Sequence, residues 1–522
     1  MTQSENNKRI AKNTLLLYFR MLLMMGVSLY TIRVVLNTLG AVDYGIYNVV
    51  GGVVTMFSFL SGTMAGASQR FFAFEIGRKD YQQLKKTFSM TMTIYVMIAV
   101  VILILAETIG LWFLNNKMTI PAERMESANW IYQFAILSFI LTMFAIPYNA
   151  AIIAHERMNV YAYVSIIEVT LKLAIVYILV VFSFDKLKLY AVLMFAVTAI
   201  VTSIYQIYCR KKFDECRFSF YWNKSLFKEI VSYSGWNLFG ALAGIFSNQG
   251  ISIVLNMFFG PVVNAAQAIA TQVNNTINQF IINFSTAVNP QITKYYAAGE
   301  KEEMIKLVFQ SSKFSYFLMF ILSMPVLLET NFILSMWLKE VPDYVVIFTQ
   351  LVIITALIDS LSQPLITSLL ATGKIRNYQL IVGGIRLLNL PVSYCFLKFG
   401  FPPQTVMYIA IGFAVLSLTL RLLMSQNMLG FPVGNYISNV IIKIIVSSII
   451  AYCIPLWIIF KWNDDNPLRF VIILATGLAS ALIFIYFLGL LKSERVSIKA
   501  TAYKQIITKI PFIKGETTER EL

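Results

Sequence analysis

The chain has 522 residues, a formal net charge of +16 at pH 7, 58% hydrophobic residues and only 13% charged residues. Soluble globular domains carry about 25% charged residues, so this composition excludes a soluble globular protein and predicts a protein that crosses a membrane many times. The positive charge does not indicate a nucleic-acid partner. Lys and Arg cluster between the apolar runs, where they orient a membrane protein and attract anionic membrane lipids.

Apolar runs of about 20 residues, long enough to cross the hydrocarbon core as helices, recur along the whole chain. The first run is too long for a cleaved signal and lacks an Ala-x-Ala-like site, so we expect it to remain as the first helix. We predict an all-α polytopic membrane protein with about fourteen transmembrane helices, at 13–36, 45–73, 87–114, 128–153, 160–183, 188–209, 231–259, 262–293, 307–333, 344–371, 377–397, 403–426, 436–460 and 467–491.

The segments between these helices alternate between strongly and weakly basic, which indicates the side of the membrane on which each one lies. The basic side carries the N-terminal cations, the segment 210–228 and the C-terminal tail. We assign Arg70 and Arg421 to the same side. The positive-inside rule then predicts that both termini are cytoplasmic.

The sequence repeats itself. Residues 147–161 (PYNAAIIAHERMNVY) are echoed by residues 364–378 (PLITSLLATGKIRNY), a shift of 364 − 147 = 217. A second echo pairs Gly40 with Gly260 (260 − 40 = 220) and Gly77 with Gly299 (299 − 77 = 222). Each echo joins segments on the same predicted side, so the halves contain an even number of spans and run parallel.

Two parallel six-helix repeats followed by two additional helices are the simplest organisation that fits these shifts. We predict an N-terminal lobe at 1–215, a C-terminal lobe at 216–430, and two further helices with a basic cytoplasmic tail at 431–522. Two similar halves of a membrane chain commonly enclose a transport pathway.

Two opposite-charge pairs lie inside predicted spans, where a charge costs about 2.5–3.5 kcal/mol on insertion scales. Glu168 and Lys172 are one helical turn apart, and Asp359 and Arg386 lie at similar depths on successive helices. Each pair is either a self-neutralised strut or part of a cavity lining. Because 386 − 217 = 169, both halves place charge at the same depth, which favours a central cavity. In a cavity, Lys172 and Arg386 are candidates for binding substrate, and Glu168 and Asp359 are candidates for ion coupling.

Two further arginines lie on the first predicted helix, and no acid accompanies them there. Arg20 is about 12 Å from the basic end of the helix at 1.5 Å per residue, so it either lines a cavity or extends to the membrane interface. Arg33 lies near the opposite end, as an interface anchor or a gate residue. A guanidinium can bind phosphate through two parallel hydrogen bonds, so an arginine-lined cavity predicts an anionic cargo.

The eighth predicted helix carries amides and hydroxyls at helical spacing. Such side chains either hold helices together, at about 0.6 kcal/mol each, or line a wet cavity in which they bond sugar hydroxyls. The length of the stripe favours the second reading. The amides proposed to contact substrate are Gln267, Asn275 and Asn278 on this helix, and Asn248 and Gln249 midway along the seventh.

Little in the chain indicates catalysis. The four cysteines form no CxxC pair, and we expect the single histidine, His155, to be a solvated loop residue, so neither a metal site nor a disulfide is predicted. The segment 370–375 lacks the upstream glycine and the Ser/Thr of a phosphate-binding loop. We predict no enzymatic activity, no catalytic residue and no cofactor.

The segment 39–47 (LGAVDYGIY), the glycine-rich second helix ending at Gln69 and Arg70, and the repeated halves with two added spans resemble the polysaccharide flippases. These are the O-antigen and capsule repeat-unit translocases of the multidrug/oligosaccharidyl-lipid/polysaccharide exporter superfamily. The resemblance covers essentially the whole chain. It implies a V-shaped pair of lobes that moves an undecaprenyl-diphosphate-linked oligosaccharide across the bacterial cytoplasmic (inner) membrane by alternating access, for surface polysaccharide biosynthesis.

The resemblance also implies roles and partners. Arg20, Arg33, Lys172 and Arg386 would hold the diphosphate or acidic sugars, the helix-eight amides would contact sugar hydroxyls, and a polysaccharide polymerase and glycosyltransferases would be partners. Unlike many ion-coupled relatives, this chain has no carboxylate on the first and seventh predicted helices. Two alternatives stay open: a cation-coupled multidrug antiporter of the same superfamily, which would need an acidic cavity, and a flippase for the peptidoglycan lipid precursor.

Overall fold

The computed structural model describes residues 3–55, 58–117, 120–182, 185–338, 341–462, 467–492 and 494–496. Within these ranges all regular secondary structure is helical. The first half contains α1 (Gln3–Thr55), α2 (Ser58–Arg78), α3 (Tyr81–Leu105), α4 (Leu111–Lys117), α5 (Met125–Ala154), α6 (Met158–Val181) and α7 (Lys186–Lys212).

Two helices in this half, α3 and α7, begin at an aspartate whose side chain satisfies free backbone N–H groups. The Asp80 carboxylate accepts a hydrogen bond from the Gln83 N–H at 2.9 Å, which fixes the start of α3. Asp185 accepts from the N–H groups of Leu187 and Lys188 and starts α7 in the same way. Burial alone would raise the pKa of Asp185, but these bonds and one from Ser127 bring it below its usual value.

The rest of the chain forms α8 (Lys224–Ala297), α9 (Lys301–Leu328), α10 (Thr330–Trp337), α11 (Val345–Ala371), α12 (Arg376–Tyr378), α13 (Gly384–Lys398), α14 (Thr405–Leu429), α15 (Val433–Tyr436), α16 (Ile442–Lys461) and α17 (Pro467–Phe484). The helix α8 has 74 residues, and its backbone bends at Gly260, where φ is +76°. A positive φ is accessible to glycine without steric cost, so this residue allows the chain to reverse between two spans.

Eleven helices in the described ranges are long and apolar enough to cross a membrane. They correspond to eleven of the fourteen predicted spans, and the other three, 45–73, 231–259 and 262–293, fall within α1, α2 and α8. These three are the glycine-rich and amide-rich spans. The all-α polytopic fold is therefore confirmed, and the long helices are consistent with fourteen crossings.

The backbone reproduces the sequence repeat. Lys79 and Gly299 both have a positive φ (60° and 77°) in the turns that follow α2 and α8, and Glu156 and Gly373 (59° and 74°) occupy the turns that follow α5 and α11. The shifts are 299 − 79 = 220 and 373 − 156 = 217. The sequence pairing of Gly77 with Gly299, at a shift of 222, is thus wrong by two residues. The residue equivalent to Gly299 is Lys79, because these two share the positive φ of the turn.

The helices pack mainly within each half. In the first half α5 packs on α2 and α7, and α1 on α6; in the second, α11 packs on α8, α9 and α14. The two halves meet where α2 and α1 pack on α8. The last helices, α16 and α17, are attached to α9, and a buried ion pair at 2.6 Å joins Lys313 to Glu494. The boundaries at 215 and 430 stay predictions.

Candidate functional site

A cavity of about 290 Å³ opens between α2, α8, α11 and α14. Two guanidinium groups border it, Arg386 from α13 and Arg421 from α14. The amides of Asn237 and Gln379 and the hydroxyls of Thr63 and Tyr378 add to its polar lining. The cavity therefore combines permanent positive charge with neutral hydrogen-bonding groups, which together suit an anion attached to a polar body.

Local backbone features create the space. The π-helical turn Gln379–Gly383 joins α12 to α13 and presents Gln379 toward α8, where its Nε2 donates to Asn237 Oδ1 at 3.0 Å. A Cβ atom at Gly240 would collide with the Gln379 amide, so any larger residue there would displace this side chain. A Cβ atom at Gly62, in contrast, would meet nothing within 4 Å.

Arg421 is a functional candidate that the sequence reasoning missed. We assigned it to the basic membrane side, but the residue is only 1% exposed and lies eight residues before the end of α14. Its Nη1 donates to Ser362 Oγ at 3.0 Å and its Nε to Tyr378 Oη at 3.5 Å. No carboxylate of the described ranges lies within 4.0 Å of it. The predicted span 403–426 already contained this arginine, which was the available signal.

Two smaller cavities adjoin the first. One of about 160 Å³ shares Arg386 and is lined by Asp359, Asn389 and Ser417. The other, of about 120 Å³, shares Asn237 and is lined by Arg70, Gln69 and Asn289. The three together form a row of polar spaces: the 290 and 120 Å³ cavities lie between the two halves, and the 160 Å³ cavity lies within the second half.

Arg70, which we also assigned to the basic side, is buried in the protein and not solvated. The residue is 9% exposed, and its Nη2 donates to the Ala371 carbonyl at 2.7 Å. Its guanidinium lies 4.8, 4.7 and 5.4 Å from the ring centroids of Phe71, Phe74 and Tyr233. Aromatic faces stabilise a cation in a dry environment, which explains how this charge is tolerated.

The structure brings Asp359 and Arg386 together, as their depths in the sequence suggested. The Asp359 Oδ1 and Arg386 Nη2 atoms are 3.8 Å apart, and each side chain is 39% exposed. Glu168 and Lys172 also pair, at 2.6 Å, with side chains 23% and 31% exposed. The first pair borders the cavities, whereas the second is a close contact within one turn of α6.

Arg20 makes contacts within the first half. Its Nε donates to Ser165 Oγ at 2.5 Å, and its guanidinium lies over the Tyr161 ring, 4.1 Å from the centroid. Both partners belong to α6, so this arginine joins α1 to α6. The side chain of Arg33 lies outside the described residues.

The predicted amides of α8 have separate surroundings. Gln267 is buried and accepts a hydrogen bond from Ser252 at 3.0 Å, across the bend at Gly260. Asn278 donates to Asn274, and Asn275 is exposed. The side chains of Asn248 and Gln249 lie outside the described residues. Asn289, further along the same stripe, lines the 120 Å³ cavity and accepts from Thr367 at 2.9 Å.

His155 is not the solvated loop residue that we expected. Its Nε2 lies 2.5 Å from Glu215 Oε1, and its ring stacks on Phe213 with centroids 4.1 Å apart. Burial alone would raise the pKa of Glu215, but the hydrogen bonds from His155 and from the backbone hold it below its usual value. The histidine therefore fastens the turn after α5 to the segment that joins the two halves.

The fold and the row of cavities can be compared with known proteins. Residues 10–296 match the model of a family described as polysaccharide biosynthesis protein. The chain belongs to this family. Residues 237–395 also match the MatE family model. The family and the structural neighbours below are transporters, which confirms the prediction that the chain is not an enzyme.

This chain is similar to a curated protein, the uncharacterised membrane protein EpsK of Bacillus subtilis, with 20% identity over 288 residues. That match spans 54% of this chain and 56% of EpsK, just over half of each protein.

Solved structures show the same fold at low sequence identity. An outward-facing multidrug resistance MATE family transporter of the MOP superfamily aligns with a TM-score of 0.68 at 12% identity, over 81% of this chain and 96% of that one. The Vibrio cholerae MATE transporter VcmN in its bent form gives 0.66 at 16% identity, over 83% and 99%. A MOP superfamily transporter of Pyrococcus furiosus, described as having a binding pocket of reverse polarity, gives 0.64 at 13%, over 81% and 96%.

Proposed function

We propose that this family member is a flippase that moves an undecaprenyl-diphosphate-linked oligosaccharide from the cytoplasmic to the outer leaflet of a bacterial inner membrane. The observation that carries the proposal is the pairing of Arg386 and Arg421 on one 290 Å³ cavity. The positive lining suits a diphosphate, since each guanidinium can bind one phosphate with two parallel hydrogen bonds.

In this proposal the neutral polar groups that line the row of cavities bind the sugars of the cargo. Asn237 and Gln379 can exchange hydrogen bonds with sugar hydroxyls, and Asn289 and Thr367 extend the same chemistry toward the basic end of α8. In this proposal the phosphates are held at fixed charges and the sugars by adaptable amides. The prenyl chain stays in the surrounding lipid.

Transport in this proposal follows alternating access, in which the two repeats move relative to each other around the central site. Both termini lie on the cytoplasmic side. A polysaccharide polymerase and glycosyltransferases supply and consume the cargo. Membership of the polysaccharide biosynthesis family supports this place in surface polysaccharide assembly.

The test is complementation of a strain from which the gene has been deleted. We expect the wild-type chain to restore surface polysaccharide, and Arg386→Gln and Arg421→Met to leave lipid-linked oligosaccharide accumulated in the cytoplasmic leaflet. Membrane levels of each variant are measured by immunoblot. The matched control is the double variant Glu168→Gln/Lys172→Met, which removes a charge pair of similar exposure from α6 and should restore the polysaccharide. Normal polysaccharide in both arginine variants would falsify the proposal.

A cation-coupled multidrug antiporter is the second candidate, favoured by the MatE match and by the carboxylate of Asp359 in the 160 Å³ cavity. A cationic drug would be repelled by Arg386 and Arg421, which is why we rank this function second. Ethidium efflux from cells that express the chain separates the two. Efflux that is lost in Asp359→Asn while the polysaccharide stays normal would establish the antiporter. Lysis of the deletion strain, in contrast, would indicate a flippase for the peptidoglycan precursor.

A further inference from the structure

Arg386 stands between two cavities that differ in charge. On one side it borders the 290 Å³ cavity together with Arg421, and on the other it borders the 160 Å³ cavity together with Asp359. Its contact with Asp359, at 3.8 Å, is longer than a hydrogen bond, and both side chains are 39% exposed. A long flexible arginine in this position can lean toward either cavity.

We propose that Asp359 is an internal counter-ion that competes with the anionic cargo for Arg386. In the empty protein the carboxylate partly neutralises the guanidinium. When a phosphate enters the 290 Å³ cavity, Arg386 turns toward it and leaves Asp359. When Asp359 recovers Arg386, the phosphate is held by Arg421 alone and is released. This inference rests on the proposed function and assigns Asp359 a positioning role.

Competition predicts that removing the Asp359 carboxylate increases the affinity for cargo, which the other possible roles of Asp359 do not predict. Removing a competitor strengthens cargo binding, whereas removing a cation ligand or a structural strut leaves binding unchanged or weakens it. The expected gain is roughly two- to fivefold, because half-exposed ion pairs have strengths in that range. The same change should slow transport, since release becomes the slow step.

The experiment measures binding of farnesyl diphosphate to the purified full-length chain in detergent, with farnesol as the uncharged reference. We expect tighter binding in Asp359→Asn, weaker binding in Arg386→Gln, and no change in the control Glu168→Gln. Unchanged or weaker binding in Asp359→Asn overturns the competition and leaves the proposed function standing. A wild-type chain that binds farnesol as well as the diphosphate overturns both.

A second inference comes from different residues, at the end of the molecule where α2 and α8 finish. The Glu156 side chain is fully buried, and its two oxygens lie 2.7 Å from Arg9 Nε and 2.6 Å from Lys294 Nζ. Glu156 belongs to the turn after α5 in the first half, and Lys294 to the last turn of α8 in the second. The pair therefore joins the two halves.

The opposite contact exists at the repeat-equivalent place. Gly373, the counterpart of Glu156, lies in the turn after α11, and Arg70 of α2 donates to Ala371 at the start of that turn. A Cβ atom on Gly373 would lie only 2.8 Å from Arg70 Nη2. Each half thus supplies a cation to a turn of the other half: Arg70 of α2 contacts the turn after α11, and Lys294 near the end of α8 contacts the turn after α5.

We infer that these two contacts form a reciprocal latch that holds this end of the transporter closed. Separation of the halves here would expose a buried carboxylate and two buried cations at once, so the end opens only when both contacts break. The helices also pack closely, because a Cβ atom on Gly77 would lie 2.6 Å from the Lys294 carbonyl. Alternating access to the row of cavities then requires the latch to cycle.

The latch is tested without any cargo, so it can fail while the proposed function holds. Thr63, which lines the 290 Å³ cavity, is changed to cysteine in a variant whose four native cysteines are serine. Labelling by a membrane-impermeant maleimide is compared in inside-out and right-side-out vesicles. We expect Glu156→Gln and Arg70→Leu each to raise labelling several-fold from the basic side.

The carboxylate control is Glu168→Gln, which breaks a pair inside one half and should leave labelling unchanged. Where Glu156→Gln does not accumulate in membranes, Arg9→Gln removes one of the two partners of Glu156 and should give a smaller rise. Labelling that stays at the parent level in Arg9→Gln and Arg70→Leu overturns the latch.

Discussion

The two halves of the chain carry different residues at one equivalent position. Arg20 of α1 corresponds to Gly240 of α8 at the repeat shift of 220. In the first half Arg20 lies over Tyr161 and bonds Ser165. In the second half Gly240 leaves room for Gln379 and for the cavity beside it.

The equivalent tyrosines, Tyr161 and Tyr378, also contact arginines from different helices. Tyr161 stacks with an arginine that arrives from α1, whereas Tyr378 accepts a hydrogen bond from Arg421 of α14. A repeated framework can therefore keep its tyrosine and its charge while changing the helix that supplies the charge. The first half is filled at this place and the second is hollow, so the two halves have divided support and binding between them.

The largest expected effect is on transport when the two arginines are exchanged for an apolar residue of similar length. Arg421→Met should abolish delivery of surface polysaccharide, because it removes half of the cavity charge. Arg20→Met should retain most of it, because this arginine holds α1 to α6. Polysaccharide per milligram of membrane-inserted protein is the measurement, and Arg421→Lys should recover part of the activity. Equal losses in the two methionine variants would contradict the division between halves.

The order of the two methionine variants should be reversed when stability is measured: Arg20→Met should destabilise the protein more than Arg421→Met. Arg20→Met loses a hydrogen bond and a cation–π contact, worth about 1–2 kcal/mol together, and should unfold at a lower temperature in detergent. Arg421→Met removes a buried charge that has no carboxylate within 4.0 Å among the residues that the structure describes, and replacing buried charges by packed apolar groups is commonly neutral or stabilising. Its unfolding temperature should be unchanged or higher. A lower unfolding temperature for Arg421→Met than for Arg20→Met contradicts this view.

A smaller effect is expected from filling the hollow half. Gly240→Ala places a methyl group where the Gln379 amide lies, which pushes this side chain into the 290 Å³ cavity. Transport should fall partially. Gly62→Ala lines the same cavity but meets nothing within 4 Å, so it is the matched control and should transport normally. Equal activity of the two alanine variants would show that the Gln379 position does not matter.

The smallest effect concerns the segment that joins the halves. The pKa of Glu215 is lowered in the folded chain, so its ionised form stabilises the fold above the usual value of 4.5. This contribution is lost as pH falls through the lower folded value. Thermal unfolding between pH 6 and pH 3 should therefore show a steeper loss of stability in the wild type than in Glu215→Gln. Parallel curves for the two proteins would exclude this contribution.

Prediction from the sequence worked where a single helix or a repeated string carried the signal. Apolar runs located the spans, and Glu168 with Lys172 paired because four residues make one helical turn. Asp359 and Arg386 were matched by depth along neighbouring helices, which also needs only counting. The predicted binding residues stay predictions. The structure adds Arg421 and Arg70 as residues that line the cavities, and it shows Gln267 bonded to Ser252 beside the bend of α8.

These omissions have one cause. Whether a cation near a helix end is solvated or buried depends on how far the helix extends and on what packs against it. Arg70 lies two turns before the end of α2, and its partner Ala371 is 301 residues away. His155 was misjudged for the same reason, since Phe213 and Glu215 reach it from the segment after α7.

The sequence by itself determined that this protein is a helical membrane protein with two parallel repeats, because hydropathy and periodicity are properties of short stretches of chain. It also determined the family resemblance that the comparisons confirmed. Only the tertiary structure decided which arginines border the cavities, which are neutralised, and how each half holds a turn of the other. Those outcomes depend on helix rotation and on contacts between residues far apart in the chain, which no local pattern records.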